Sequence, residues 1–566
     1  MIVLRYSTYR RKDEKGNRRS SNRPFHFFIF SLSPINTLLL LIARALIAMT
    51  PNYRRLVGRL ALVAAILLLQ INYNGIKAFS LVSTQVSCSS SNSVTDGGTT
   101  EVLPVPPHCY LHPSASIIQT SPTGERGVFV NQDASIPDNE ILLRVPMSEV
   151  ITPQMGLQDT PAGNAISKVT AAVDWHTSLA LWLCYSKYRL KNDNPEKQKK
   201  QEQEHKISQV QTWYVNNLPW DRMDHLPIPW SSDELVELEG SFLLREILQK
   251  RGQWEDLYDT IVKVYPAFAN ETSFDEFVQA KSMVGSRAFG LNPNNDDEDR
   301  TDVGMVPLAD MLNHQSKVWS TTCDWSVQEM EFCIRTGPAG LQAGCEAFQS
   351  YGRYSNAQYL LKYGFCIERD DEANDNTQTE HEKMLVLPQE AHIAINTGTN
   401  DDNDVEEWFD VSVGRPEAID LIQYLRDCVE ISLEGNEGED VLVPEHLQEQ
   451  REDGDWRVPI SLLNERLVFS NIADSVDAAL DRYPMPFSED WMQLRERIPG
   501  GGYSIPKFTK LRNAMVVRAE EKRVLHHWKD KVCKPSLDCL DRIEQSGAGW
   551  EEYCDLLEAA LFLEML

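Results

Sequence analysis

No Cys-x-x-Cys pair occurs anywhere in the chain, although it holds eleven cysteines, and Cys533 and Cys539 stand too far apart for a zinc knuckle. Structural zinc is therefore not expected, and no metal is assigned. In a chain of 566 residues, thiols scattered in this way read as reduced and mostly buried rather than as a disulfide framework. A basic stripe is also missing. Up to residue 78 there are thirteen Lys and Arg against Asp13 and Glu14, a net +11, which leaves −39 of the total −28 to the remainder. A body that acidic repels phosphate backbones, so nucleic acid is excluded as a partner and a protein fits better. Long apolar runs are short of what a membrane span needs: Leu56–Ile71 is brief and interrupted. No internal repeat is present.

What the chain does have is ample length for two or three domains and an apolar content of 42% with 13 Trp, the composition of a globular protein. Residues 1–80 read as a targeting or anchor region. Arg54, Arg55 and Arg59 lead the apolar stretch, as in a signal peptide, and Met49 can start the same reading. Lys77-Ala78-Phe79-Ser80 and a Ser/Thr-rich, acid-poor stretch follow, a pattern similar to a bipartite plastid presequence. Ordinary secretory entry or an uncleaved membrane anchor is the alternative, and any membrane contact would be through this segment alone. Residues 81–107 are linker by composition.

Short apolar runs at Ile117–Gln119, Gly127–Asn131 and Ile141–Pro146 are the text of small strands. From about Asp174 the apolar period becomes helical, through Ser232–Arg251, Trp254–Phe268 and Ser273–Arg287. Strand-like text returns at Gly304–Leu308, Thr321–Trp325, Glu331–Arg335 and Cys345–Tyr351, and the tail from about Leu385 reads as helical. Acidic stretches at Asn400–Glu407 and Glu434–Asp455 read as disordered.

Four passages carry chemistry. Gly124-Glu125-Arg126-Gly127 lies between a turn and a strand; it is either a hairpin turn or a backbone loop close to a ligand. Ser286-Arg287-Ala288-Phe289 closes the helical stretch, where an Arg commonly meets the helix dipole. In Val306–His314, Asp310, Asn313 and His314 fall within five residues amid apolar neighbours. Burying such groups costs a few kcal/mol each unless they are paired, so they call for a polar ligand or for satisfied caps. Lastly, Tyr351-Gly352 ends a strand and a short helix runs on to Tyr363-Gly364-Phe365, aromatics that read alone as core.

In order and spacing these four resemble the SET domain, in the branch of the Rubisco large-subunit lysine methyltransferases, which also contains the actin-histidine methyltransferase. The text around Trp213…Asn217-Leu218-Pro219 and Pro229–Leu235 resembles that branch's insertion, and Leu511-Arg512-Asn513-Ala514 with Arg518, Glu521 and Leu525 its helical substrate-binding domain. The resemblance covers about residues 108–535. It implies an α+β protein: a β-rich SET fold with a pseudoknot over 108–368, split by a helical insertion at about 171–285, then an all-α substrate-binding domain over 385–566.

The resemblance also implies an S-adenosylmethionine-dependent protein-lysine N-methyltransferase, monomeric, acting on a non-histone protein docked on the helical domain. Protein-histidine methylation is the first alternative, and an inactive S-adenosylmethionine-binding interaction protein is one of another class. Gly124, Glu125 and Arg126 would offer loop groups to the cofactor, and Arg287 would approach its carboxylate. Asp310, Asn313 and His314 would hold its amino-acid and adenosine portions. Tyr363 and Phe365 would line the transfer region, and Tyr351 would contact the cofactor and be the catalytic residue that orients the acceptor amine. One departure is Glu125, which stands where several relatives have glycine.

Overall fold

The computed structural model describes residues 100–120, 126–170, 173–192, 207–291, 302–315, 323–328, 330–352, 354–368, 390–396, 406–412, 417–433, 441, 443–452, 454–498 and 502–562. The targeting region, most of the linker, and the loop residues Gly124 and Glu125 lie outside these.

Short strands form where apolar side chains alternate between turn residues. They are β1 (Thr100–Leu103), β2 (Tyr110–Leu111), β3 (Ala115–Thr120), β4 (Arg126–Val130), β5 (Ile141–Pro146), β6 (Ala288–Gly290), β7 (Val303–Met305), β8 (Asn313–His314), β9 (Cys323–Gln328), β10 (Glu331–Thr336) and β11 (Glu346–Gln349). One sheet has the order β1-β3-β4-β11-β8 and a second the order β2-β5-β10-β9. All pairs are antiparallel except β8 with β11, which run parallel with Phe348 opposite Asn313 and Gln349 opposite His314. Ile117, Val128, Leu143, Val145, Phe332, Ile334 and Ala347 are buried in one core with Leu308 and Leu312. The site segment is therefore rooted in the same apolar interior that holds the sheets, where position is fixed by close packing.

Between β5 and β6 the chain is helical, with a core of its own that includes Leu179, Leu183, Tyr214, Phe268, Phe277 and Met283. Capping boxes at Ser208, Ser231 and Ser273 start three of its helices, each serine accepting from the backbone three residues on while that residue's side chain returns the bond. The stretch that reads as two helices, Ser232–Arg251 and Trp254–Phe268, is divided elsewhere. Ser232–Leu235 and a 3-10 turn stop at Gly240, whose φ of 87° ends them, and Phe242–Val264 then runs unbroken. Gly252 lies on an open face of that helix, where an added Cβ would touch nothing, and its cost of about 1 kcal/mol does not break it.

The C-terminal region is mainly helical, as its pattern implies, with hairpins added: β12 (Glu390–Asn396) pairs with β13 (Glu406–Ser412), and a two-residue pair joins Arg497–Ile498 to Gly502–Tyr503. Ala391, Ile393 and Val411 alternate into the helical core, which explains the strands. Within Glu434–Asp455, read as disordered, Glu445–Glu452 is helical and pins itself by burying Leu447. The Lys510–His527 helix ties the parts together. Its Ala514, Met515 and Val517 share a core with Trp230, Leu243 and Leu360, and its Arg512 grips Glu368 at 2.6 and 2.7 Å.

Candidate active site

Five separate segments meet at one place: the start of β4, the Gln209–Asn217 helix, the last turn of the Phe274–Arg287 helix, the Leu308–His314 segment, and Tyr351–Phe365. Leu308 sets the geometry. It holds a φ of 73°, in the left-handed region that β-free glycine favours, and is fully buried. Such a conformation costs on the order of 1–3 kcal/mol and persists only where the surroundings dictate it. It turns the chain into the 3-10 turn Ala309–Met311 and aims Asp310 inward.

Asp310 Oδ2 accepts from the Tyr214 hydroxyl at 2.9 Å and from Arg287 Nη1 at 2.9 Å, and the Asp310 carbonyl accepts from the same nitrogen at 3.1 Å. Burial works against the Arg287 charge, but the Asp310 carboxylate more than offsets it and raises the pKa. Burial, with Asp310 adding to it, pushes the Tyr214 phenol far upward, so that it stays a donor. Two atoms of this cluster are buried without a hydrogen-bond partner among the described residues: Asp310 Oδ1 and Arg287 Nε. A buried polar atom left unpaired costs about 1–3 kcal/mol, which marks the pair as incomplete by itself.

Arg126 lies beside this pair. Its Nη1 donates to the Asn217 carbonyl, and burial together with the neighbouring Arg287 brings its pKa down to about 10, still charged at neutral pH. The Arg126 carbonyl accepts from Asn313 Nδ2 at 2.7 Å, and that same nitrogen donates to Glu346 Oε1 at 2.6 Å. Both amide hydrogens of Asn313 are thus engaged, and its oxygen is the group left to face a ligand. The Glu346 carboxylate fits only because Gly127 has no side chain: a Cβ there would lie 2.4 Å from Oε1.

The next residue begins an aromatic cluster. His314 Nδ1 accepts the Tyr351 backbone N–H at 3.0 Å, which places the proton of the neutral ring on Nε2. Burial presses its pKa down to about 4, so the ring is neutral at pH 7. Its ring centroid lies 5.2 Å from Tyr351, 5.1 Å from Tyr359 and 5.8 Å from Phe365, and Tyr351 lies 4.7 Å from Tyr363. The Tyr351 hydroxyl donates to the Leu312 carbonyl at 2.8 Å, and burial raises its pKa, so it remains protonated. An aromatic wall of this kind can strip water from an amine and orient it, since ring faces attract a cation and a committed phenol still offers a lone pair.

Of the residues singled out from sequence, Arg126, Arg287, Asp310, Asn313, His314, Tyr351, Tyr363 and Phe365 come together here; Gly124 and Glu125 lie outside the described residues. Four participants escaped the sequence reading. Tyr214 holds Asp310 from 96 residues away, Glu346 anchors Asn313, and Tyr354 and Tyr359 extend the aromatic cluster. Tyr359 was visible only as the inward face of the Asn356–Tyr363 helix; nothing local marks the others. Among the described residues no three His, Cys, Asp or Glu are grouped to hold a metal ion, and no helix is long and apolar enough to cross a membrane.

The two sheets and the helical stretch that splits them have the fold of the SET domain. The chain aligns with the crystal structure of the SET domain of LSMT bound to methyllysine and AdoHcy, with a TM-score of 0.55 and 21% identity, over 77% of this chain and 90% of that one. A structure of Rubisco LSMT bound to AdoMet aligns with a TM-score of 0.54 over 76% and 89%. The chain is similar to Rubisco large-subunit methyltransferases in two further comparisons. Residues 419–525 match the Rubisco LSMT substrate-binding family. The chain is 26% identical over 437 residues to the chloroplastic Rubisco large-subunit N-methyltransferase of Nicotiana tabacum, covering 74% of this chain and 78% of the relative. It is 24% identical to the chloroplastic fructose-bisphosphate aldolase lysine N-methyltransferase of Arabidopsis thaliana, covering 74% and 79%.

Proposed function

We propose that the chain is an S-adenosylmethionine-dependent protein-lysine N-methyltransferase acting on a non-histone protein. The observation that carries this is the joining of the incomplete Arg287–Asp310 pair, through Asn313 and His314, to the aromatic cluster of Tyr351, Tyr363 and Phe365. The residues fit the cofactor: a carboxylate oxygen and a guanidinium N–H stand unpartnered for its amino-acid end, and the Asn313 nitrogen is engaged twice, which leaves its oxygen as the acceptor. The loop at Gly124–Arg126 would add backbone groups. When bound, S-adenosylmethionine supplies an activated methyl on a sulfonium.

The protein's own work is positioning. A lysine is protonated in water, with a pKa near 10.4, and must shed a proton before it can attack. Removing water around it among the rings of Tyr351, Tyr354 and Tyr363 lowers that value without a strong base, and the proton leaves to solvent. Because the Tyr351 hydroxyl gives its own proton to the Leu312 carbonyl, its oxygen accepts an N–H of the acceptor. That bond aims the nitrogen lone pair, which is the alignment an in-line displacement requires. We assign the division of labour to a SET core at 108–368, its insertion at about 171–285, and a substrate-binding region at 385–566. We place the protein in a plastid, on the chloroplastic relatives and on the signal-peptide and transit-like text of residues 49–110.

The test is transfer of labelled methyl from S-adenosylmethionine to fractionated lysate proteins, followed by peptide mapping. Label on lysine is expected. Label on histidine overturns the acceptor, and cofactor binding without any label overturns the activity.

A further inference from the structure

The aromatic cluster holds a cation of the protein's own. Lys362 lies on the Asn356–Tyr363 helix, one residue before Tyr363, and its Nζ sits 3.9 Å from the centre of the Tyr354 ring. That ring stands 5.7 Å from Tyr359 and 6.2 Å from Tyr363. Tyr354 is thus shared: it is one of the rings proposed to surround the acceptor, and it also carries an ammonium. The ring is held closely, because Gly352, with a φ of 110°, has no side chain and an added Cβ would lie 2.9 Å from Tyr354 Cε2. Lys362 forms no ion pair among the described residues. The charged groups that face it are Glu246 and Lys250 of the Phe242–Val264 helix and Glu390 of β12. Glu246 is engaged by Lys250 at 3.6 Å and accepts from the Gln358 amide at 3.5 Å, and Glu390 accepts from the Ser355 hydroxyl. On the Phe274–Arg287 helix, Lys281 and Arg287 are turned to Asp174 and Asp310. From the Lys510–His527 helix, Glu520 accepts from the Asn356 amide. Burial lowers the Lys362 pKa from its ordinary value, and Glu246 acts against that.

An aromatic channel has a defect as a place to hold a reacting amine. Ring faces attract cations, so they favour the protonated acceptor, which has no lone pair with which to attack. A resident positive charge works in the opposite direction, because like charge disfavours the charged form of its neighbour. The two steps of 3.9 and 6.2 Å put the Lys362 ammonium within about 10 Å of the Tyr363 ring, a range over which charge is felt inside a protein and salt screens it little. The ammonium also occupies a face of Tyr354 that a protonated acceptor would otherwise use. We propose that Lys362 is a positioning residue for methyl transfer: through Tyr354 it tips the acceptor amine towards its neutral, nucleophilic form. Lys362 takes no proton from the acceptor, which loses it to solvent. The proposal rests on the methyltransferase reading, since it needs an acceptor among Tyr351, Tyr354 and Tyr363.

The experiment reads the ionisation of the acceptor directly. The probe is Nα-acetyl-Nε-methyllysine methylamide with carbon-13 in its Nε-methyl group. It is bound to the full chain together with S-adenosylhomocysteine, and its methyl resonance is followed by NMR from neutral to alkaline pH. Lys362→Met keeps the length of the side chain and removes its charge. In that variant the midpoint of the bound amine should rise by about half a pH unit or more, roughly a threefold loss of the neutral form near pH 7. Lys362→Arg, which keeps the charge, should restore the midpoint. An unchanged midpoint in Lys362→Met, or a rise that Lys362→Arg fails to reverse, overturns the proposal. Calorimetry of S-adenosylmethionine on the same samples separates the two readings. Cofactor and probe bound with an unmoved midpoint sinks Lys362 and leaves the methyltransferase standing. Cofactor bound without the probe sinks the acceptor channel and the proposal with it, and a chain that binds neither sinks the methyltransferase reading itself.

Discussion

Two buried arginine–carboxylate pairs in this molecule are built to opposite standards. In the C-terminal region Arg426 and Glu465 form a closed unit: Arg426 Nε reaches Glu465 Oε2 at 2.7 Å, Nη2 reaches Oε1, and Nη1 is taken by the Trp456 carbonyl. Tyr553 donates to the same carboxylate at 2.7 Å. Each nitrogen of that guanidinium and both oxygens of that carboxylate have partners. Arg287 and Asp310 have similar surroundings, including a tyrosine donor, yet leave Nε and Oδ1 unpaired. Burying charge is costly, and a protein recovers that cost by complete pairing unless something else completes it. The closed pair is complete in itself, and the open one leaves two buried atoms unpaired.

The largest effect should come from breaking the closed pair. Glu465→Ala strands a buried guanidinium, and we expect it to lower unfolding free energy by about 3–5 kcal/mol in urea titrations. A loss under about 1 kcal/mol would erase the distinction between the pairs. Next in size is Tyr351→Phe, which keeps the ring and removes the hydroxyl proposed to aim the acceptor. Turnover should fall roughly 100-fold with S-adenosylmethionine affinity unchanged, and unaltered turnover would remove Tyr351 from that role. Asp310→Asn keeps the shape of the open pair while removing its charge. Cofactor affinity measured by calorimetry should drop about tenfold, with a smaller loss of stability than Glu465→Ala gives. The reverse ranking of stability losses would mean that the open pair is the structural one.

A separate effect is one of pH. His314 titrates at about 4 in the folded protein against an ordinary 6.5, because burial disfavours its charged form. Below pH 6.5 the unfolded chain therefore takes up a proton that the folded chain refuses, so stability declines from pH 6.5 towards 4. His314→Gln should flatten that part of the profile. Identical profiles for the two proteins would show that other groups set it.

The fold was readable where the information is local. Strand text between turn residues and the helical period of Ser273–Arg287 placed elements within a few residues of where they lie, and the clustering of Asp310, Asn313 and His314 pointed at the site. What stayed hidden was non-local. Tyr214 looks like any core residue of an amphipathic helix until Asp310 is brought beneath it, and Glu346 looks like a solvent-facing strand residue until Gly127 makes room for it. β12 and β13 were lost for a related reason: a two-stranded hairpin surrounded by helical text declares itself only through the helices that cover it.

Arg287 is both a member of the open pair and the last residue of the insertion's final helix. For a flexible segment, doubling its length adds only about 0.6 kcal/mol to the entropy of bringing its ends together. Evolution can therefore lengthen, shorten or redecorate the middle of the insertion at small energetic consequence. It has no such freedom at the exit, where a slip of one residue would rotate the guanidinium about 100° around the helix and away from Asp310. Variation along this segment should therefore be graded, tolerant in its interior and abruptly intolerant at Arg287.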